Sequence, residues 1–250
     1  MFKKLFMNKV WTVSALFAIS LALYGIDFRI FGNLREISAS FLGNLAFLPV
    51  YIIVVTLLFE RVLRERERQS VMRKLNMVIG VFFSEFGNRL LKELSVYVVG
   101  SEELKKQLRM TESWKKGDFD SALEYLRRST QRISIDSDAL PGLKKFMAGK
   151  RSFLLSLLEN QNLLEHENFT DLLWAAFHIV EELEARESFD HIPLSDKEHI
   201  NGDIMRVFVH LIREWILYMQ HLKEDYPYLF SLAVRLNPMI DSPDPLVYQD

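Results

Sequence analysis

The chain has 250 residues, 49% hydrophobic and 26% charged, with ten glycines and seven prolines. That is enough chain for a packed core, and it excludes a long disordered polymer or a collagen-like repeat. The absence of cysteine removes disulfide scaffolds, thiolate zinc sites, iron–sulfur clusters and cysteine nucleophiles together, and a net charge of −2 argues against a surface built throughout for nucleic acid.

Apolar residues concentrate early. Val10–Ile26 and Ile37–Phe59 carry no charge, and a bilayer span needs about 20 mostly apolar residues, with about 17 as the lower edge. The pattern predicts two membrane spans, about 10–26 and 40–59, forming a hairpin in residues 1–59. Trp11 and Tyr24 sit near the ends of the first, where amphipathic rings favour the interface. Pro49 falls inside the second, which a bilayer helix tolerates when a neighbour satisfies the freed carbonyl. A rival reading takes the first stretch as a cleaved signal peptide, with Lys3, Lys4 and Lys9 as leader and Ser20-Leu21-Ala22 as the cut.

Basic residues set the orientation. Lys3, Lys4 and Lys9 precede the first span, Arg29 and Arg35 lie between the spans, and Arg61, Arg64, Arg66, Arg68, Arg73 and Lys74 follow the second. The excess on the flanks places both termini in the cytoplasm, making a multi-pass protein of the inner (cytoplasmic) membrane. The connection Asp27–Glu36 is too short for a folded sensor. Neither span carries an ionisable side chain, against the pattern of transporters and proton carriers. Ser14, Asn44 and Thr56 fit helix packing.

Residues 60–100 read as one long juxtamembrane helix over Glu60–Val99. Met72, Leu75, Ile79, Phe82, Phe86 and Leu90 step by three or four, with Glu85, Asn88, Arg89 and Lys92 largely off the stripe. A stripe of this kind needs a partner, either a helix of the same domain or a second copy. The run Glu60–Arg68 mixes signs at helix-neighbour spacing, which suits solvated ion pairs worth tenths of a kcal/mol. Following a span directly, Arg61, Arg64, Arg66, Arg68, Arg73 and Lys74 also suit contact with anionic headgroups, at about 1 kcal/mol each.

Residues 101–250 read as a cytoplasmic all-helical domain. Helix signals open at Ser101-Glu102-Glu103, run over Asp118–Arg132 and through Leu143 and Phe146 to Gly149, and cover Arg151–Leu164. Asn168, with Asp171 three residues on, opens another through Trp174 and Leu183. Ser195–Glu198 has the capping-box pattern and opens a helix to about Lys223. Asp225 and Pro227 begin a last one ending near Asn237. Trp174, Phe177, Phe208, Trp215 and Tyr218 read as core, and Asp225–Phe230 as an aromatic anchor. Lys105–Lys150 is basic-rich and Glu159–Asp203 acidic, so the two can attract each other within the fold or across a dimer. The fold class is an all-α membrane protein: a two-helix transmembrane hairpin followed by a cytoplasmic helical bundle.

No phosphate loop, dinucleotide fingerprint, nucleophile elbow or kinase signature is present, and no cofactor is implied. His178 with Glu182, and His210 with Glu214, are each four apart and share a helix face. Two such faces meeting in a bundle would make a metal-binding enzyme. The Glu-x-x-His element of carboxylate-bridged di-metal bundles is absent.

Leu75–Glu85 and His221–Leu232 resemble stretches of uncharacterised two-span prokaryotic membrane proteins. The resemblance covers the cytoplasmic part and implies no activity, cofactor or catalytic residue. The sequence therefore points to a membrane-anchored helical binding, scaffold or regulatory protein without catalytic activity, with a protein partner or self-association and no nucleic acid. The alternatives are the His178/Glu182–His210/Glu214 metal enzyme and a small oligomeric channel lined by the second span.

Overall fold

Scarce glycine and proline leave long runs free to propagate i to i−4 hydrogen bonding, and the described chain is predominantly helical. The computed structural model describes residues 2–31, 34–160, 163 and 166–247, and among their side chains those of 14–30, 35–67, 72, 75–160, 163 and 166–247. It divides into two compact units, Met1–Arg68 and Gln69–Asp250.

The first unit holds α1 (Phe2–Phe31) and the first part of α2 (Leu34–Phe82). Tyr24 and Phe41 meet edge to face, ring centroids 6.4 Å apart. Arg35–Glu67 is long and apolar enough to cross a membrane, and its apolar window is wholly unburied. It is the one such segment among the described residues; the expected first span, 10–26, falls partly on side chains outside them. α2 passes through Pro49 unbroken.

In the second unit α2 ends at Phe82 and the helix widens into a π turn, Phe83–Gly87, before α3 (Asn88–Ser95). The extra residue in the turn rotates the register, so Phe82, Phe83 and Phe86 are all buried. Gly87 makes this possible: a Cβ there would lie 2.6 Å from Phe83 Cδ1 and 2.8 Å from Phe82 Cε1. The expected stripe is buried at Leu75, Ile79, Phe82, Phe86 and Leu90, whereas Met72 is exposed. Its partners belong to the same chain. Phe82 meets Phe169 at 5.0 Å, Phe83 stacks on Tyr218 at 4.9 Å, and Phe86 stacks on Phe146 at 5.5 Å.

The helix expected to reach Val99 stops at Ser95. Val96–Val99 is β-branched and aromatic, weak in helix propensity, and Val98 instead pairs with Ile133 in an isolated antiparallel bridge. Gly100, at φ 74°, then turns the chain into α4 (Ser101–Gln107).

There follow α5 (Lys116–Arg128), α6 (Leu140–Ala148), α7 (Arg151–Leu158), α8 (Glu167–Glu184), α9 (Leu194–Asp225) and α10 (Pro227–Arg235). α9 is the axis of the unit and packs against α3, α5, α8 and α10. Its buried face runs Ile200, Ile204, Val207, Leu211, Trp215 and Leu222, with Phe208, Ile212 and Met219 beside it.

Two expected caps are replaced. α8 is capped by His166, whose Nδ1 accepts the Phe169 N–H at 3.2 Å, two residues before Asn168. α9 starts without a side-chain cap, because the helix begins earlier than expected, at Leu194 with Pro193 as its N-cap, which leaves Ser195 inside the first turn. Trp174, expected in the core, is 57% exposed; Phe177, Phe208 and Trp215 are buried. The aromatic anchor holds through Phe230, buried against Phe119, while Tyr228 faces solvent. The buried Asn237 secures the following segment by donating to the Leu108 carbonyl at 3.0 Å.

Candidate functional site

The connector 185–193 reverses the chain between α8 and α9, with His191 in the left-handed region at φ 59°. The cross-contacts then march in opposite directions: Arg186 with Asp196, Glu182 with His199, His178 with Asp203, Asn168 with Arg213. α8 and α9 are an antiparallel hairpin, in which residues equally far from the turn face each other.

This register assembles a cluster. His178 and Glu182 sit one turn apart on α8, and His199 and Asp203 one turn apart on α9. His178 Nε2 and His199 Nε2 each lie 3.3 Å from Asp203 Oδ2. His178 Nε2 is 3.8 Å from Glu182 Oε1, and His199 Nε2 is 3.7 Å from Glu182 Oε2. The Asp203 side chain is 4% exposed, while both imidazoles are open to solvent on one side.

Each carboxylate is gripped by an arginine through one oxygen. Arg206 Nη1 donates to Asp203 Oδ1 at 2.7 Å, and Arg186 Nη1 to Glu182 Oε2 at 2.7 Å. Arg186 also bonds Asp196, closing the hairpin, and its guanidinium holds the Glu182 carboxyl below its ordinary range. The second oxygen of Asp203 is different: Oδ2 is buried and receives no hydrogen bond. Leaving a buried carboxylate oxygen unpaired is costly, so the position calls for a partner.

The expected pairing of His178/Glu182 with His210/Glu214 does not form. His210 lies seven residues beyond Asp203, about 10 Å further along α9, and the hairpin register sets it near Asp171. Among the described residues no ion pair joins His210 to Glu214. Glu214 is buried, with Oε1 unpartnered. Sequence reasoning missed His199 and Asp203, although the signal existed: both helices carry His-x-x-x-carboxylate, at matching distances from the connector.

Of the expected headgroup contacts, Arg61, Arg64 and Arg66 are exposed, and Arg64 pairs with Glu60 at 2.9 Å. The side chains of Arg68, Arg73 and Lys74 lie outside the described residues. The basic segment pairs largely nearby, as Arg127 and Arg128 do with Glu124. Just beyond it Arg151 pairs with Glu184 of the acidic segment at 2.6 Å, while Lys197 of the acidic segment reaches back to Asp136 of the basic one at 3.3 Å, the reverse of the expected polarity. A cleft of about 770 Å³ lies between α5 and α9, lined by Leu123, Leu126, Met205, Val209 and Ile212, with Arg213 at its edge.

The second unit is a predominantly helical domain. The chain belongs to the family of uncharacterised MJ1433 proteins. Residues 71–235 match the family's C-terminal helical domain and residues 3–63 its N-terminal helical domain. The uncharacterised protein MJ1433 of Methanocaldococcus jannaschii is 40% identical over 220 residues, covering 88% of each chain. The C-terminal match takes in both stretches on which the sequence resemblance rested. No solved structure matches the chain.

Proposed function

We propose that the protein is a membrane-tethered helical binding protein, a scaffold or regulator without catalytic activity of its own. Arg35–Glu67 crosses the cytoplasmic membrane, and the unit Gln69–Asp250 stands on its cytoplasmic side. The observation that carries the reading is the apolar stretch within Arg35–Glu67: an 18-residue window of mean hydropathy 2.2, none of it buried. In water, exposed apolar area costs about 25 cal/mol per Å², and a bilayer removes that cost. The basic residues at its C-terminal end, Arg61, Arg64 and Arg66 among them, favour the cytoplasmic face and anionic headgroups there. The predominantly helical second unit offers a wide surface, including the α5–α9 cleft, to a protein partner or a second copy.

The test is in cells. A reporter fused at the C-terminus reads cytoplasmic, the protein stays with the membrane after an alkaline wash, and crosslinking captures a defined partner or a dimer. A protein released by that wash, or one that stays monomeric with no crosslinked partner, refutes the reading.

A further inference from the structure

We propose that His178, Glu182, His199 and Asp203 form a binding site for one first-row divalent cation of the zinc, iron or manganese class. This goes beyond the tether reading and does not rest on it, since all four residues lie on the α8–α9 hairpin.

The donor set selects the cation. Two imidazole nitrogens and two carboxylates suit zinc, iron(II) or manganese, whereas calcium and magnesium prefer oxygen ligands throughout. Neutral imidazoles with two carboxylates also balance the charge of a divalent ion.

The spacing fits as well. Metal bonds of about 2.0–2.2 Å to nitrogen and oxygen, arranged tetrahedrally, put neighbouring donors about 3.3–3.6 Å apart. Both imidazole nitrogens lie 3.3 Å from Asp203 Oδ2, while Glu182 turns Oε1 toward His178 at 3.8 Å and Oε2 toward His199 at 3.7 Å, so ligation needs Glu182 to swing one oxygen inward. One ligand atom from each of His178, Glu182 and Asp203 already lies within 4.8 Å of the other two; His199 stands outside that group, beside Asp203, and joins as the fourth ligand when its side chain moves in.

The independent observation is Asp203 Oδ2. It is buried, equidistant from both Nε2 atoms, and accepts a hydrogen bond from neither. Imidazolium donors explain the proximity but not the missing hydrogen bonds; a metal between the three atoms explains both. Around it, Arg206 holds Asp203 Oδ1 and Arg186 holds Glu182 Oε2, which leaves Asp203 Oδ2 and Glu182 Oε1 for the ion, the outer-shell arrangement that orients ligating carboxylates. The partly exposed imidazole side gives the ion its way in.

The experiment uses the full-length protein in detergent, stripped by a chelator and titrated with Zn²⁺ alone, with Co²⁺ as the optical probe. The wild type takes up one equivalent, gains thermal stability with Zn²⁺, and gives with Co²⁺ the intense visible bands of a low-coordinate ion. His178→Gln and His199→Gln each weaken binding at least about 10-fold and abolish the bands. Both side chains are partly exposed, so the metal-free variants keep the wild-type helical signal and melting temperature. Absence of saturable uptake by the wild type, or equal affinity in wild type and both variants, overturns the site. Either result leaves the membrane test untouched.

Discussion

Glu214 carries a carboxyl into the buried face of α9, where Oε1 finds no donor. Burial pushes that carboxyl up from 4.5 to about 7, against the smaller opposing pull of Arg213. Between these values the folded protein keeps a proton that the unfolded chain has released. Stability therefore falls as pH rises from about 4.5 to 7 and levels off above it, by up to about 3 kcal/mol from this group. Glu214→Gln keeps the shape and removes the charge. Melting temperature followed from pH 4 to 8 is expected to show the variant gaining on wild type across that window, with the difference vanishing at the acid end. Parallel curves would mean that Glu214 stays ionised in the fold. His178–Glu182 was legible in the sequence because four-residue spacing on one helix is a local property. Its partners were not, because which turn of α9 faces it depends on the length and path of the connector. Spacing counted outward from that connector would have favoured His199 and Asp203 over His210 and Glu214.

At the scale of elements, periodicity made the long buried helices readable. The stripe from Leu75 to Leu90 and the alternation along α9 are burial patterns written directly into residue type. What escaped was decided by competition between neighbours. Pro193 takes the N-cap of α9 and draws Ser195 into the helix, and His166 supplies the α8 cap that Asn168 was expected to give. The π turn escaped for another reason: it has no periodic signature, only adjacent phenylalanines followed by a glycine. Gly87→Ala tests whether that glycine is required by packing. Its Cβ would collide with two fully buried rings, which have little room to withdraw. Overpacking of this kind costs about 1–3 kcal/mol, a loss of several degrees in melting temperature. A variant as stable as wild type would show that the π turn relaxes to an ordinary α turn at no cost.

For the whole molecule, two independent divisions fall at the same place. The compact units part at Arg68/Gln69, and the family's two helical domains end at 63 and resume at 71. The second unit draws its core from its own helices, with Phe82, Phe83 and Phe86 packed on Phe169, Tyr218 and Phe146. The exposed apolar area, by contrast, is concentrated in the first unit, through Leu42, Phe47, Ile52 and Leu58. A chain cut at Gln69 thus sheds the apolar run while keeping every buried aromatic pair of the second unit. Residues 69–250 expressed alone are expected to be soluble without detergent, strongly helical by circular dichroism, and to melt in one cooperative transition. Aggregation of that fragment, or a gradual melt, would mean that the first unit contributes to the core of the second. In that case the boundary seen in both the packing and the family would mark no independent folding unit.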